Sequence, residues 1–136
     1  MPDSAQQHDI IEKSPHYNTR SVEAIHFIRH MDFATGNAFK YIWRYGLKDT
    51  TDLERGKRNY YIKNALIYRP NFVSEDVGHC MIRMLSAMAE EFEREQFELL
   101  VALISASMGD YEMLIARARQ LELFPIAAEH LLLNGG

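Results

Sequence analysis

Cysteine occurs once in the 136-residue chain, as Cys80. That excludes an intramolecular disulfide and any Cys-rich zinc site, and fits a reducing cytoplasm, with the thiol expected to be inert within an apolar helical run. Long apolar runs are also missing. The most apolar stretch, residues 97–108, is well short of the roughly twenty residues that span a bilayer, and acidic residues flank it, so a soluble chain with no membrane role is expected. The first fifteen residues are polar and carry no secretory signal, and residues 1–15 are expected to form a flexible tail. No charge of one sign dominates: 15 basic side chains face 19 acidic ones, which argues against general nucleic acid binding. Segments alternating with period two are absent, which excludes sheet as the main architecture. No glycine-rich loop ends in Gly-Lys-Ser/Thr, which excludes a P-loop kinase.

What is present reads as helix. The expected fold is all-α, a small bundle of five to six helices with a long C-terminal helical hairpin. Residues 16–136 form one domain in this reading, with a site-bearing half at 16–69 and a packing half at 74–133. A first helix is expected over residues 19–31. Thr51-Asp52-Leu53-Glu54 has the residue types of a capping box, and Pro70 ends the helix it starts at Arg69. Gly56 inside that helix costs about 1 kcal/mol relative to Ala, which suggests close packing against a neighbour. Ser74 caps another helix, with Glu75 and Asp76 at the positive end of its dipole.

Met81, Leu85, Met88, Phe92, Leu99 and Leu103 then recur as a helical seam that Glu93-Arg94-Glu95 interrupts, leaving open one long helix or two. Gly109-Asp110 stops and restarts helix, Phe124-Pro125 breaks it, and residues 126–133 form a last short helix. The methionines between Met81 and Met108 are adaptable interface material, so a homo-oligomer is expected.

The densest chemistry lies between Thr35, expected to cap a helix, and Gly46, expected to end it. At 3.6 residues per turn, Asn37, Lys40, Tyr41 and Arg44 share one face, and Ala38, Ile42 and Tyr45 the other. Lys40 and Arg44 repel each other by about a few tenths of a kcal/mol, and a phosphate would balance them. Phe39 and Tyr45 are core by default, and Trp43 is the candidate for stacking on a base.

Other constellations are incomplete. Glu23, His26 and His30 share a helix face, but a second Glu-x-x-His is missing. Glu90-x-x-Glu93 is one carboxylate pair of a magnesium site whose other half is absent.

The sequence His16-Tyr17, then Gly36-Asn37-Ala38-x-Lys40-Tyr41-x-x-Arg44-x-Gly46-x-Lys48-Asp49, then Asp52-Leu53, resembles a small phage-encoded family long catalogued as a domain of unknown function. That family includes a nucleoside monophosphate kinase without a P-loop. The resemblance covers about residues 14–68. It implies phosphoryl transfer from a nucleoside triphosphate donor to deoxynucleoside monophosphates of the dTMP or dGMP type, with Mg2+ as a possible companion of the nucleotide and no metal held by the protein itself. Lys40, Arg44 and Lys48 would be catalytic. His16, Tyr17, Asn18, Asn37, Tyr41, Trp43 and Asp49 would bind substrate. The alternative is a non-catalytic nucleotide-binding or host-modulating phage protein using the same cationic face.

Overall fold

The computed structural model describes residues 20–48 and 50–126, and within them the protein is entirely helical. The six α-helices are α1 (Ile25–Ile28), α2 (Phe33–Tyr45), α3 (Asp52–Tyr68), α4 (Glu75–Ala87), α5 (Arg94–Ser107) and α6 (Glu112–Gln120), with a 3₁₀ turn at Ala89–Glu91. His16, Tyr17, Asn18 and Asp49, the expected tail, and the expected last helix beyond Ile126 lie outside the described residues.

Helix boundaries follow local chemistry. Asp32, not Thr35, caps α2: its carboxylate accepts from the N–H groups of Ala34 at 3.0 Å and Thr35 at 3.3 Å. A carboxylate at the positive end of the dipole makes a good cap, and the helix starts earlier than the Thr35 reading placed it. Thr35 is fully buried instead. Gly46 ends α2 with φ 67° while its N–H reaches Ile42 O at 3.0 Å. The expected 19–31 helix shrinks to α1, because the chain tightens into i to i+3 bonds at His30 and Met31 and then extends at Asp32. Thr51 and Glu54 form the capping box of α3, and Arg69 closes that helix in the left-handed region, φ 46°, just before Pro70. Ser74 caps α4.

The long seam resolves into two helices. Phe92 is extended, Glu93 starts α5, and Gln96 Oε1 accepts from Glu93 N–H at 3.2 Å. The seam residues Met81, Leu85, Met88, Phe92, Leu99 and Leu103 are all in the core. Of the methionines expected at an interface, Met81 and Met88 are core and Met84 is exposed.

The α2–α3 hairpin forms the most extensive helix pair, α2 also packs on α5, and α5 packs on both α6 and α4. One buried apolar cluster runs from Phe27 to Leu123 through all of these layers. Gly36 sits where α2 meets α1; a Cβ there would lie 3.2 Å from Ile28 Cγ2. Gly56 has no atom within 4 Å of the position a Cβ would take, so the close packing expected of it is absent. Cys80 is exposed, and its Sγ accepts from Arg83 at 3.3 Å, so its helical run is not buried at that face.

Candidate functional site

Two aromatic sets lie on different faces of α2. Phe39 and Trp43, one turn apart, point inward: Trp43 is 1% exposed, with Phe27 at 5.4 Å, Phe39 at 5.7 Å and Phe92 at 5.0 Å between ring centroids. A ring enclosed this way fills the core, and the base-stacking role expected of Trp43 has no surface to act through. Tyr41 and Tyr45, likewise one turn apart, form the second set. Their rings stack at 6.0 Å, and Tyr61 of α3 stacks on Tyr41 at 6.1 Å with only 16° between the planes. Phe33 and Tyr60 meet Tyr61 edge-on and are 76% and 62% exposed. Tyr45, assigned to the core by default, is half-buried and belongs to this outer strip.

The expected cationic ridge divides. Arg44 and Lys48 line one cleft of about 260 Å³, together with Arg20, Tyr45, Gly46, Leu47, Glu91, Glu93 and Gln96. Lys40 is not among its walls; its Nζ lies 5.0 Å from the centre of the Tyr41 ring. Asn37 turns its amide back to Phe33 O at 2.7 Å, a contact within its own helix. Lys40 and Tyr41 therefore belong with the tyrosine strip, while Arg44 and Lys48 belong to the cleft. Tyr45 is common to both.

Arg20 is the residue that sequence reading missed. Its guanidinium donates to Trp43 O at 2.8 Å and lies 4.3 Å over the Phe92 ring and 5.5 Å over Trp43. Burial pulls its pKa below the ordinary arginine value, and the Glu91 carboxylate works against that shift. Glu91 is held by Ser21, which donates its N–H at 2.8 Å and its hydroxyl at 2.6 Å. Those two bonds, more than the nearby Arg20, keep the carboxyl below its usual range. Nothing in the spacing joins Ser21 to a glutamate seventy positions away, so the sequence carried no signal for this contact.

Gln96 was also unforeseen, although Glu93-x-x-Gln96 is a capping pattern in residue spacing. It is buried, and its Nε2 donates to Ile42 O at 2.7 Å, joining the start of α5 to the end of α2. Arg44, on the last turn of α2, has Nε and one terminal nitrogen shielded from solvent. Shielding strengthens the field that such a cation exerts on a neighbouring charge.

A third arginine, Arg58 of α3, is 4% exposed and donates to Asn59 Oδ1 at 3.0 Å. Burial is the main cause of its lowered pKa, with repulsion from Arg55 added. Asp52 pairs with Arg55 at 3.1 Å on the first turn of α3, so it serves that helix start.

His26 and His30 are exposed, and among the described residues no group of three or more His, Cys, Asp or Glu side chains is arranged to hold a metal ion. No described helix is long and apolar enough to cross a membrane.

Residues 11–63 match the model of a protein family of unknown function, DUF3310. That span contains Arg20, Lys40, Arg44, Lys48 and the tyrosines of the strip, and it stops before the helices that supply Glu91, Glu93 and Gln96. No curated protein and no solved structure matches the chain.

Proposed function

We propose that this chain binds nucleoside phosphates and transfers a phosphoryl group from a nucleoside triphosphate to a deoxynucleoside monophosphate, using the cleft of Arg20, Arg44 and Lys48. One observation carries the reading: cations from two separate stretches of chain, Arg20 ahead of α1 and Arg44 with Lys48 at the end of α2, line a single cleft. Glu91, held ionised by Ser21, and Glu93 share that cleft, so three cations face two acidic side chains and the formal excess is one positive charge.

Phosphoryl transfer asks a protein chiefly for positioning and for positive charge around the moving group. An acceptor phosphate oxygen attacks the terminal phosphorus of the donor, a new P–O bond forms, and the bond to the donor's leaving diphosphate oxygen breaks. The acceptor phosphate is ionised at neutral pH and needs no general base. Arg44, with Nε and one terminal nitrogen shielded, supplies fixed positive charge and at most one terminal nitrogen for a phosphate oxygen. Lys48 is an exposed point charge at the cleft mouth, placed to approach whichever phosphate is bound. Arg20 is pinned by Trp43 and Phe92 and supplies fixed charge. Magnesium would arrive with the nucleotide, as a counter-charge to the donor phosphates.

The test incubates folded protein with dTMP or dGMP and a triphosphate donor, with and without magnesium, and analyses the products. Diphosphate formed from the monophosphate is the expected result, and Arg44→Ala or Lys48→Ala is expected to cost about 2–4 kcal/mol in transition-state stabilisation. A nucleotide complex with no diphosphate product would replace this reading with that of a non-catalytic binder.

A further inference from the structure

We infer that the outer tyrosine strip, centred on Tyr41 and Tyr61, is the platform on which the nucleobase stacks. This deepens the reading of the cleft as a phosphate site and rests on it. The core already has its own aromatic cluster in Phe27, Phe39, Trp43 and Phe92. The second set is distinct in exposure. Tyr45, Tyr41 and Tyr61 are close to parallel, at 27° and 16°, and are half-buried at the surface, whereas Phe27, Phe39 and Trp43 are enclosed.

Three features point the strip at a nucleotide. It is continuous with the cationic cleft, because Tyr45 lines the cleft and stacks on Tyr41. From Arg44 back to Tyr41 is just under one helical turn, about 5.4 Å of rise at most, a step that a nucleoside phosphate bridges between base and phosphate. Lys40 lies 5.0 Å from the Tyr41 ring centre, which puts positive charge beside the platform itself. The exposed rings of Phe33 and Tyr60 rim its far end. Stacking tolerates any base, since every base has a π-face, so the strip supplies affinity for nucleosides as a class.

The experiment titrates the protein with dTMP, dGMP and 2-deoxyribose 5-phosphate, which carries the phosphate and sugar but no base. In the unmodified protein both nucleotides are expected to bind about 5- to 150-fold more tightly than the base-less phosphate. Tyr41→Leu and Tyr61→Leu, which keep apolar bulk between α2 and α3, should remove most of that excess and leave binding of 2-deoxyribose 5-phosphate unchanged. Tyr41→Phe and Tyr61→Phe, which keep the ring, should preserve it.

An excess that survives both leucine variants overturns the inference while leaving the phosphate cleft intact. So does equal binding of nucleotide and base-less phosphate by the unmodified protein. Failure of the unmodified protein to bind any of the three compounds overturns the cleft reading and this inference together.

Discussion

The same substitution, Gly to Ala, placed inside two different helices should move stability in opposite directions. In α3, Gly56 is exposed and nothing lies within 4 Å of the position its Cβ would occupy. Alanine there loses less conformational freedom on folding and should gain about 0.8–1.0 kcal/mol. With a urea slope of about 1–3 kcal/mol per molar, the unfolding midpoint should rise by roughly 0.3–1 M.

In α4, Gly78 is buried, and a Cβ there would run into Sδ and Cγ of Met108 and lie 3.1 Å from its Cε. The same propensity gain applies, but displacing a packed thioether costs about 1–3 kcal/mol, so the net change should run from near zero to a loss of about 2 kcal/mol. Urea unfolding of the two variants, with unchanged slope, reads both values. In a Met108→Ala background the collision disappears, and Gly78→Ala should then stabilise by about 1 kcal/mol, as Gly56→Ala does. If Gly78→Ala raises the midpoint as much as Gly56→Ala with Met108 in place, the packing argument is wrong.

Other perturbations follow from single contacts. Gln96→Ala removes the bonds to Ile42 O and from Glu93 N–H and truncates a buried side chain, so about 2–4 kcal/mol should be lost in chemical denaturation; a change below about 0.5 kcal/mol would show that the two helix ends hold without it. Burial, with Asp32 adding to it, raises the Tyr111 pKa well above the ordinary 10.0, so the unfolded chain releases this proton first and stability should fall as pH climbs past about 10. Tyr111→Phe should flatten that alkaline limb, and an unchanged limb would refute the assignment. The Glu91 carboxyl is held below its ordinary 4.5 by Ser21, so its contribution is present above that pH and fades as acid protonates it. The stability difference between the native protein and Glu91→Gln should therefore be seen at pH 7 and shrink by pH 3; a pH-independent difference would mean that the carboxylate charge is not what Ser21 recognises.

Much of the fold was legible because helix ends are local events. Thr51 with Glu54, Ser74, Gly46 and Pro70 act through hydrogen bonds or sterics within about one turn, and each start or stop lies where its residue type demands. The seam from Met81 to Leu103 identified the core face for the same reason, since periodicity is a property of neighbours along the chain. Where two local signals competed, as between Asp32 and Thr35, residue type alone ranked them wrongly.

The candidate site was legible only in part. Its residues on α2 could be listed, but Trp43 was assigned outward and Tyr45 inward, because a 13-residue helix has aromatics on both faces and only its neighbours decide which face is covered. The sequence by itself determined that the chain is helical, where most helices begin and end, and which side chains bring positive charge to α2. Tertiary structure alone decided that Arg20 joins Arg44 and Lys48 in one cleft, that Lys40 stands apart beside Tyr41, and that Gly56 is open while Gly78 is enclosed. Those outcomes depend on contacts between residues up to seventy positions apart, such as Ser21 with Glu91 and Ile42 with Gln96. No local propensity encodes such a meeting, because it forms only when the whole core has packed.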